Sequence, residues 1–109
     1  MQIKYYQRKT HDTFIGTGVP IEYILSRLSL GLCGESGEVA EAVKKFLRGD
    51  YDIEKLKSLL FKELGDVEWY ISELCNILEL CLDEVCKANL EKLRDRKKRG
   101  TIKGSGDNR

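Results

Sequence analysis

A single proline, Pro20, interrupts the 109 residues. Long stretches of Leu, Glu, Lys and Ala run between glycine-containing breaks with apolar residues at helical spacing, and period-two alternation is almost absent. That pattern predicts an all-α chain, a bundle of four to five helices. A first helix is expected over about Ile3 to Phe14, ending in the Gly16-Thr17-Gly18 turn. Pro20 suits the start of a second helix, which runs to about Leu47. Gly49, Asp50 and Asp52 supply the next break and cap before a third helix over about Ile53 to Leu80, and Asp83 is expected to cap a fourth from about Glu84 to Lys97. Residues 1–99 therefore read as one domain. The glycine-rich residues 100–109 read as a tail, either loose or ordered by a ligand.

Nineteen Lys and Arg face eighteen Asp and Glu, so no field of one sign would hold the chain on nucleic acid or an anionic membrane. Charged residues break every apolar run well before the roughly 20 residues a bilayer span needs. No signal-like segment opens the chain. The expectation is a soluble, cytoplasmic protein without membrane partners. Cys33, Cys75, Cys81 and Cys86 form no CxxC pair, and with one histidine in the chain they read as reduced thiols rather than a zinc site.

The chemistry lies in two acid pairs. Glu35-Ser36-Gly37-Glu38 on the second helix and Glu63-Leu64-Gly65-Asp66 on the third each place two carboxylates three residues apart, adjacent on one helical face. At about 100° per residue, Glu35 falls in line with Leu28, Val39, Ala42 and Phe46. Glu63 likewise falls among Leu56, Leu60, Val67, Tyr70 and Leu74, with Asp66 at the border. Facing helices would thus bury four like charges together, a conflict that a divalent cation removes. An all-oxygen set suits Mg²⁺, with Mn²⁺ as a substitute, and argues against zinc or copper. Gly37 and Gly65, each unfavourable inside a helix by about 1 kcal/mol, suggest close helix approach or room for a ligand.

Gly31-Leu32-Cys33-Gly34-Glu35-Ser36-Gly37-Glu38-Val39-Ala40-Glu41, then Glu63-Leu64-Gly65-Asp66-Val67-Glu68-Trp69-Tyr70, resembles the MazG-type nucleotide pyrophosphohydrolases, marked by ExxE, a variable spacer and ExxD. The 24 residues between Glu38 and Glu63 (39–62) fit that spacing, and the likeness covers nearly the whole chain. The resemblance implies hydrolysis of a nucleoside triphosphate between its α and β phosphates. It implies Mg²⁺ on Glu35, Glu38, Glu63 and Asp66, with Glu35 or Glu38 activating a water. Tyr6-Gln7, Lys44-Lys45, Asn89, Lys92, Arg96 and the Gly-Asp-Asn-Arg ending also match. Lys44, Lys45, Lys92 and Arg96 are then expected to neutralise phosphates, Asn89 to bind base or sugar, and Gln7 and Tyr70 to contact substrate. Trp69 is expected to turn away, into the bundle or an interface. The family also implies a homo-oligomer, a tetramer in preference to a dimer.

Two other readings compete. The basic cluster from Lys92 through Lys103 suggests nucleic-acid binding, which a balanced net charge makes unlikely. A silent nucleotide-binding or regulatory helical module would carry the same ligands without turnover. Nothing resembles a Ser-His-Asp or Cys-His nucleophile, and His11 reads as an ordinary, partly exposed side chain.

Overall fold

The computed structural model describes residues 1–109 and consists of four α-helices without a strand: α1 (Ile3–Thr10), α2 (Ile21–Leu47), α3 (Ile53–Ile77) and α4 (Leu82–Arg99). A 3₁₀ turn, His11–Thr13, continues α1. The long helices α2 and α3 form a hairpin joined by residues 48–52. Gly49 turns the chain at φ +90°, and the Asp52 side chain caps α3 by accepting from Lys55 N at 2.9 Å. Tyr51 Oη reaches back to donate to the Ala42 carbonyl, tying the loop to the end of α2.

Two expected boundaries need correction. Helix α3 stops at Ile77, because Leu78 leaves the helical region and Glu79 adopts φ +57°, so the chain reverses three residues earlier than the periodicity suggested. The residue flanking α4 is Cys81, which makes no side-chain cap. Asp83 lies inside the first turn and pairs with Lys87 at 2.9 Å, where it favours the helix through the dipole rather than as a cap.

The core is thin. Ile24, Leu28 and Ala42 of α2 meet Leu56 and Cys75 of α3, and Leu82 of α4 completes it; only ten of the 109 residues are buried. The radius of gyration, 16.8 Å, exceeds the roughly 13 Å of a compact domain this long. α4 packs on α1 and barely touches α2 or α3. Leu30 and Phe61 are left 73% and 86% exposed, apolar surface of the kind that marks an interaction face. No helix is long and apolar enough to cross a membrane.

What fixes α1 is polar. Glu73 is fully buried; Asn76 Nδ2 donates to its Oε1 at 2.8 Å, the Thr10 hydroxyl lies 2.8 Å from the same oxygen, and His11 Nδ1 lies 3.0 Å from Oε2. Ser72, also buried, shares a 2.7 Å hydrogen bond with Thr10. Gln7 Nε2 donates to Asn76 Oδ1 and the Leu80 carbonyl, and Gln7 Oε1 accepts from Leu82 N at 2.7 Å. A buried carboxylate is costly unless its lone pairs are met. Here α1 and its 3₁₀ turn meet them, and are positioned by doing so.

Candidate metal centre

Glu35 from α2 meets Glu63 and Asp66 from α3, and one carboxylate oxygen of each lies within 4.8 Å of the others. The i, i+3 spacing on α3 and the antiparallel approach of α2 put them there. Burial first, then the charges of Asp66 and Glu63 and a hydrogen bond shared with Glu63, hold the Glu35 carboxyl above the usual carboxylate range. None of the three makes an ion pair with a Lys or Arg, whereas Glu41, Asp50, Asp83 and Asp107 all do. Three hard oxygen donors in repulsion, with no protein cation among them, fit a divalent ion of the Mg²⁺ type.

The expected burial is corrected in degree. Glu35 and Glu63 are half-buried and Asp66 is exposed, so the acids line an open groove between the helices. Glu38, one turn beyond Glu35, is exposed and outside the tight group of three, although its charge contributes to the Glu35 shift. The glycines beside the pairs are not points of close approach: a Cβ on Gly37 or Gly65 would meet nothing within 4 Å. The close approach is at Gly31, where a Cβ would lie 2.1 Å from Tyr70 Cε1.

That contact seats Tyr70 beside the acids. Glu35, Asp66, Trp69, Tyr70 and Thr13 line one cavity of about 360 Å³. Trp69, expected to turn away, forms part of its wall. The indole donates from Nε1 to Thr13 Oγ1 at 2.8 Å and stands edge-on to Tyr70, with ring centres 5.0 Å apart.

The other expected substrate contacts are not gathered here. Gln7 spends its amide on Asn76, Leu80 and Leu82, as described above. Lys44 and Lys45 pair with Glu41 at 2.9 and 3.7 Å, about 14–15 Å along α2 from Glu35. Asn89 is exposed on α4. Lys92 donates to Asp107 Oδ1 at 2.7 Å. Arg96, buried with its Nε unpaired, donates to the Asp107 carbonyl and carboxylate. Residues 100–109 fold back over α4, held by these Asp107 contacts and by Arg99 donating to the Arg109 carbonyl at 2.7 Å, while Arg109 braces the tail internally by donating to the carbonyls of Thr101, Ile102 and Gly106.

Residues 25–101 match the model of the MazG nucleotide pyrophosphohydrolase domain, a span that contains all four motif acids. The chain belongs to the MazG family. It is 44% identical over 115 aligned residues to the Gene 37 protein of Mycobacterium phage L5, with both chains covered in full; that name records no activity. No solved structure matches the chain. Membership places it in a hydrolase family acting on nucleotides, in which a divalent metal is general, and the chain carries an acid cluster able to hold one.

Sequence reasoning missed two parts of this cavity wall. Thr13 enters only through the 3₁₀ turn, which has no sequence signature of its own. Trp69 follows a polar register on α3 and reaches the cavity because Thr13 offers its indole an acceptor. Gly31 was visible as a helical glycine four residues before Glu35, but nothing in the sequence paired it with Tyr70.

Proposed function

We propose that this protein hydrolyses nucleoside triphosphates to the monophosphate and pyrophosphate with the help of Mg²⁺, Mn²⁺ serving in its place. The observation that carries the reading is the convergence of Glu35, Glu63 and Asp66 from facing helices without a protein cation. Those three, joined by Glu38, would hold the ion. Bound there, it supplies charge neutralisation for phosphate oxygens and acidity for water.

The chain's own groups divide the remaining work. Glu38 is close enough to influence Glu35 yet stands outside the tight group, so one of its oxygens can face the ion while the other accepts the proton of an attacking water. Glu35 orients that water from its shared position. Tyr70 and Trp69 bound the groove beside the acids. Lys44, Lys45, Lys92 and Arg96 oppose charge developing on the pyrophosphate, with Asn89 on base or sugar.

α4 packs on α1 rather than on the acid-bearing pair, so on this reading Asn89, Lys92 and Arg96 reach substrate from a second subunit. The thin core, large radius of gyration and exposed Leu30 and Phe61 support a homo-oligomer, a tetramer before a dimer. The domain is residues 1–99, with the folded tail lying over Lys92 and Arg96. The balanced net charge weighs against nucleic-acid binding, and a nucleotide substrate fits the cytoplasm.

The test is incubation with a panel of ribo- and deoxynucleoside triphosphates, with Mg²⁺ or chelator, resolving monophosphate, pyrophosphate and orthophosphate. Metal-dependent monophosphate and pyrophosphate, lost in Glu38→Gln and Asp66→Asn, is the expected result. Orthophosphate release would mean cleavage of a different bond, and no turnover by folded protein would favour the silent binding module.

A further inference from the structure

A second cavity, of about 220 Å³, adjoins the groove beside the acids and shares three wall residues with it, Thr13, Trp69 and Tyr70; Phe14, Arg27 and Leu28 are among the rest. The two share that wall, with carboxylates on one side of it and rings on the other. That is the polarity of a nucleotide whose phosphates face a cation and whose base lies on an aromatic wall.

Every part of the ring end is held in place. Trp69 donates to Thr13 Oγ1, and Thr13 donates in turn to the Thr10 carbonyl at 2.8 Å, within the segment locked by buried Glu73. Phe14 is stacked on His11, ring centres 5.6 Å apart. Arg27 is held by donating from Nη2 to the Ile15 carbonyl at 3.3 Å and lies over Tyr23. Gly16, at φ +134°, makes room for it: a Cβ there would lie 2.4 Å from Arg27 Nη1.

The hydrogen-bonding inventory of this recess leans towards donors, with the Tyr70 hydroxyl able to donate or accept. The indole N–H and the Thr13 hydroxyl are used on each other and on the backbone. Arg27 offers only donors, five in all, of which one is spent on Ile15. A guanidinium rewards a base whose outer edge carries a carbonyl oxygen and leaves an exocyclic amine facing another donor.

Resting on the hydrolase reading for the carboxylate end, we propose that the Trp69 recess receives the base and that Arg27 selects bases with an outer-edge carbonyl, namely uracil, thymine and guanine, over cytosine and adenine. Thr13 is the positioning residue that keeps the indole edge-on to Tyr70.

Trp69 is the only tryptophan in the chain, so its fluorescence reports on this recess alone. The experiment titrates the full-length protein with the five deoxynucleoside monophosphates that carry these bases. Products suffice as probes, so binding is read without turnover. Half-maximal response is expected at concentrations about tenfold lower for the three carbonyl bases than for the two amino bases. Arg27→Met, on the surface, is expected to level that difference. Thr13→Val is expected to shift the emission of the free protein and raise KM more than it lowers kcat, with Thr13→Ser restoring both. Equal response to all five bases, or a preference that survives Arg27→Met, overturns the proposal. Hydrolysis of triphosphates without any change at Trp69 would also overturn it while leaving the hydrolase reading intact. A selective Trp69 response without hydrolysis would sustain the recess and remove the hydrolase reading.

Discussion

Glu63 and Glu73 sit on the same helix, about 15 Å apart along its axis, and neither pairs with a Lys or Arg, yet their surroundings are opposite. Around Glu73 the chain supplies the Asn76 amide, the Thr10 hydroxyl and the His11 ring, and this fully enclosed carboxylate fastens α1 to α3. Around Glu63 it supplies two more carboxylates, Glu35 and Asp66. The first cluster is complete as folded and serves the fold. The second is in conflict as folded, a conflict that a divalent cation would relieve. The lack of a Lys or Arg partner therefore does not separate a structural acid from a candidate functional one; the donors around it do.

The sharpest break of this contrast is in activity. Glu63→Gln is expected to lower kcat by at least about a hundredfold, since cation-assisted catalysis contributes several kcal/mol, while the metal-free protein melts no lower than the parent because a repulsion has been removed. Parallel turnover and thermal melts in chelator check both halves. A variant that loses stability in chelator would make Glu63 a structural residue like Glu73.

The converse substitution acts on the fold. Glu73→Ala leaves the Thr10, His11 and Asn76 donors facing one another in a buried space, at a cost of about 3 kcal/mol, and urea denaturation should show it equally with and without Mg²⁺. Glu73→Gln keeps the shape and part of the bonding, and should lose less. Stability regained on adding metal to Glu73→Ala would merge the two clusters into one system.

Between these in kind is Gly31→Ala. The new Cβ would lie 2.1 Å from Tyr70, so ring or helix must move, and overpacking of this sort costs about 1–3 kcal/mol. A lower denaturation midpoint together with an altered Trp69 emission is expected, because Tyr70 packs on the indole. An unchanged emission would mean that Tyr70 moves without disturbing the wall of the groove.

The legibility of the two clusters differs for the same physical reason that their roles do. Glu35, Glu38, Glu63 and Asp66 were readable because spacing along a helix is local: acids at i, i+3 within an apolar stripe signal themselves without knowledge of what faces them. The helices α2 and α3 and the Asp52 cap were readable on the same grounds. Glu73 was not, since Thr10 and His11 lie more than sixty residues away and no local rule marks the glutamate they satisfy. The glycines show the limit from another side. Gly37 and Gly65 were singled out because they flank the acids, but the backbone contact is at Gly31, and only the crossing of α2 over Tyr70 decides that.

The smallest effect separates the clusters by pH. The Glu35 carboxyl is raised above its ordinary value of 4.5 by burial and by Asp66 and Glu63, so the folded metal-free protein binds a proton there more readily than the unfolded chain does. Stability rises as pH falls wherever the folded state holds more protons. The metal-free fold should therefore gain stability as pH drops from above the raised value towards 4.5, and the gain should level off below it, where both states are protonated. Mg²⁺ competes for the same oxygens, so its stabilisation should run the other way, growing as pH rises through that window. Glu35 is half-exposed, which screens the effect and keeps it modest. The difference between parent and Glu35→Gln melting temperatures, followed across pH with and without Mg²⁺, isolates it from other titrations. Opposite slopes in the two conditions, both flattened in the variant, are the expected outcome; parallel slopes would mean that protons and metal do not share a site, and that the acids of the groove are as self-sufficient as Glu73.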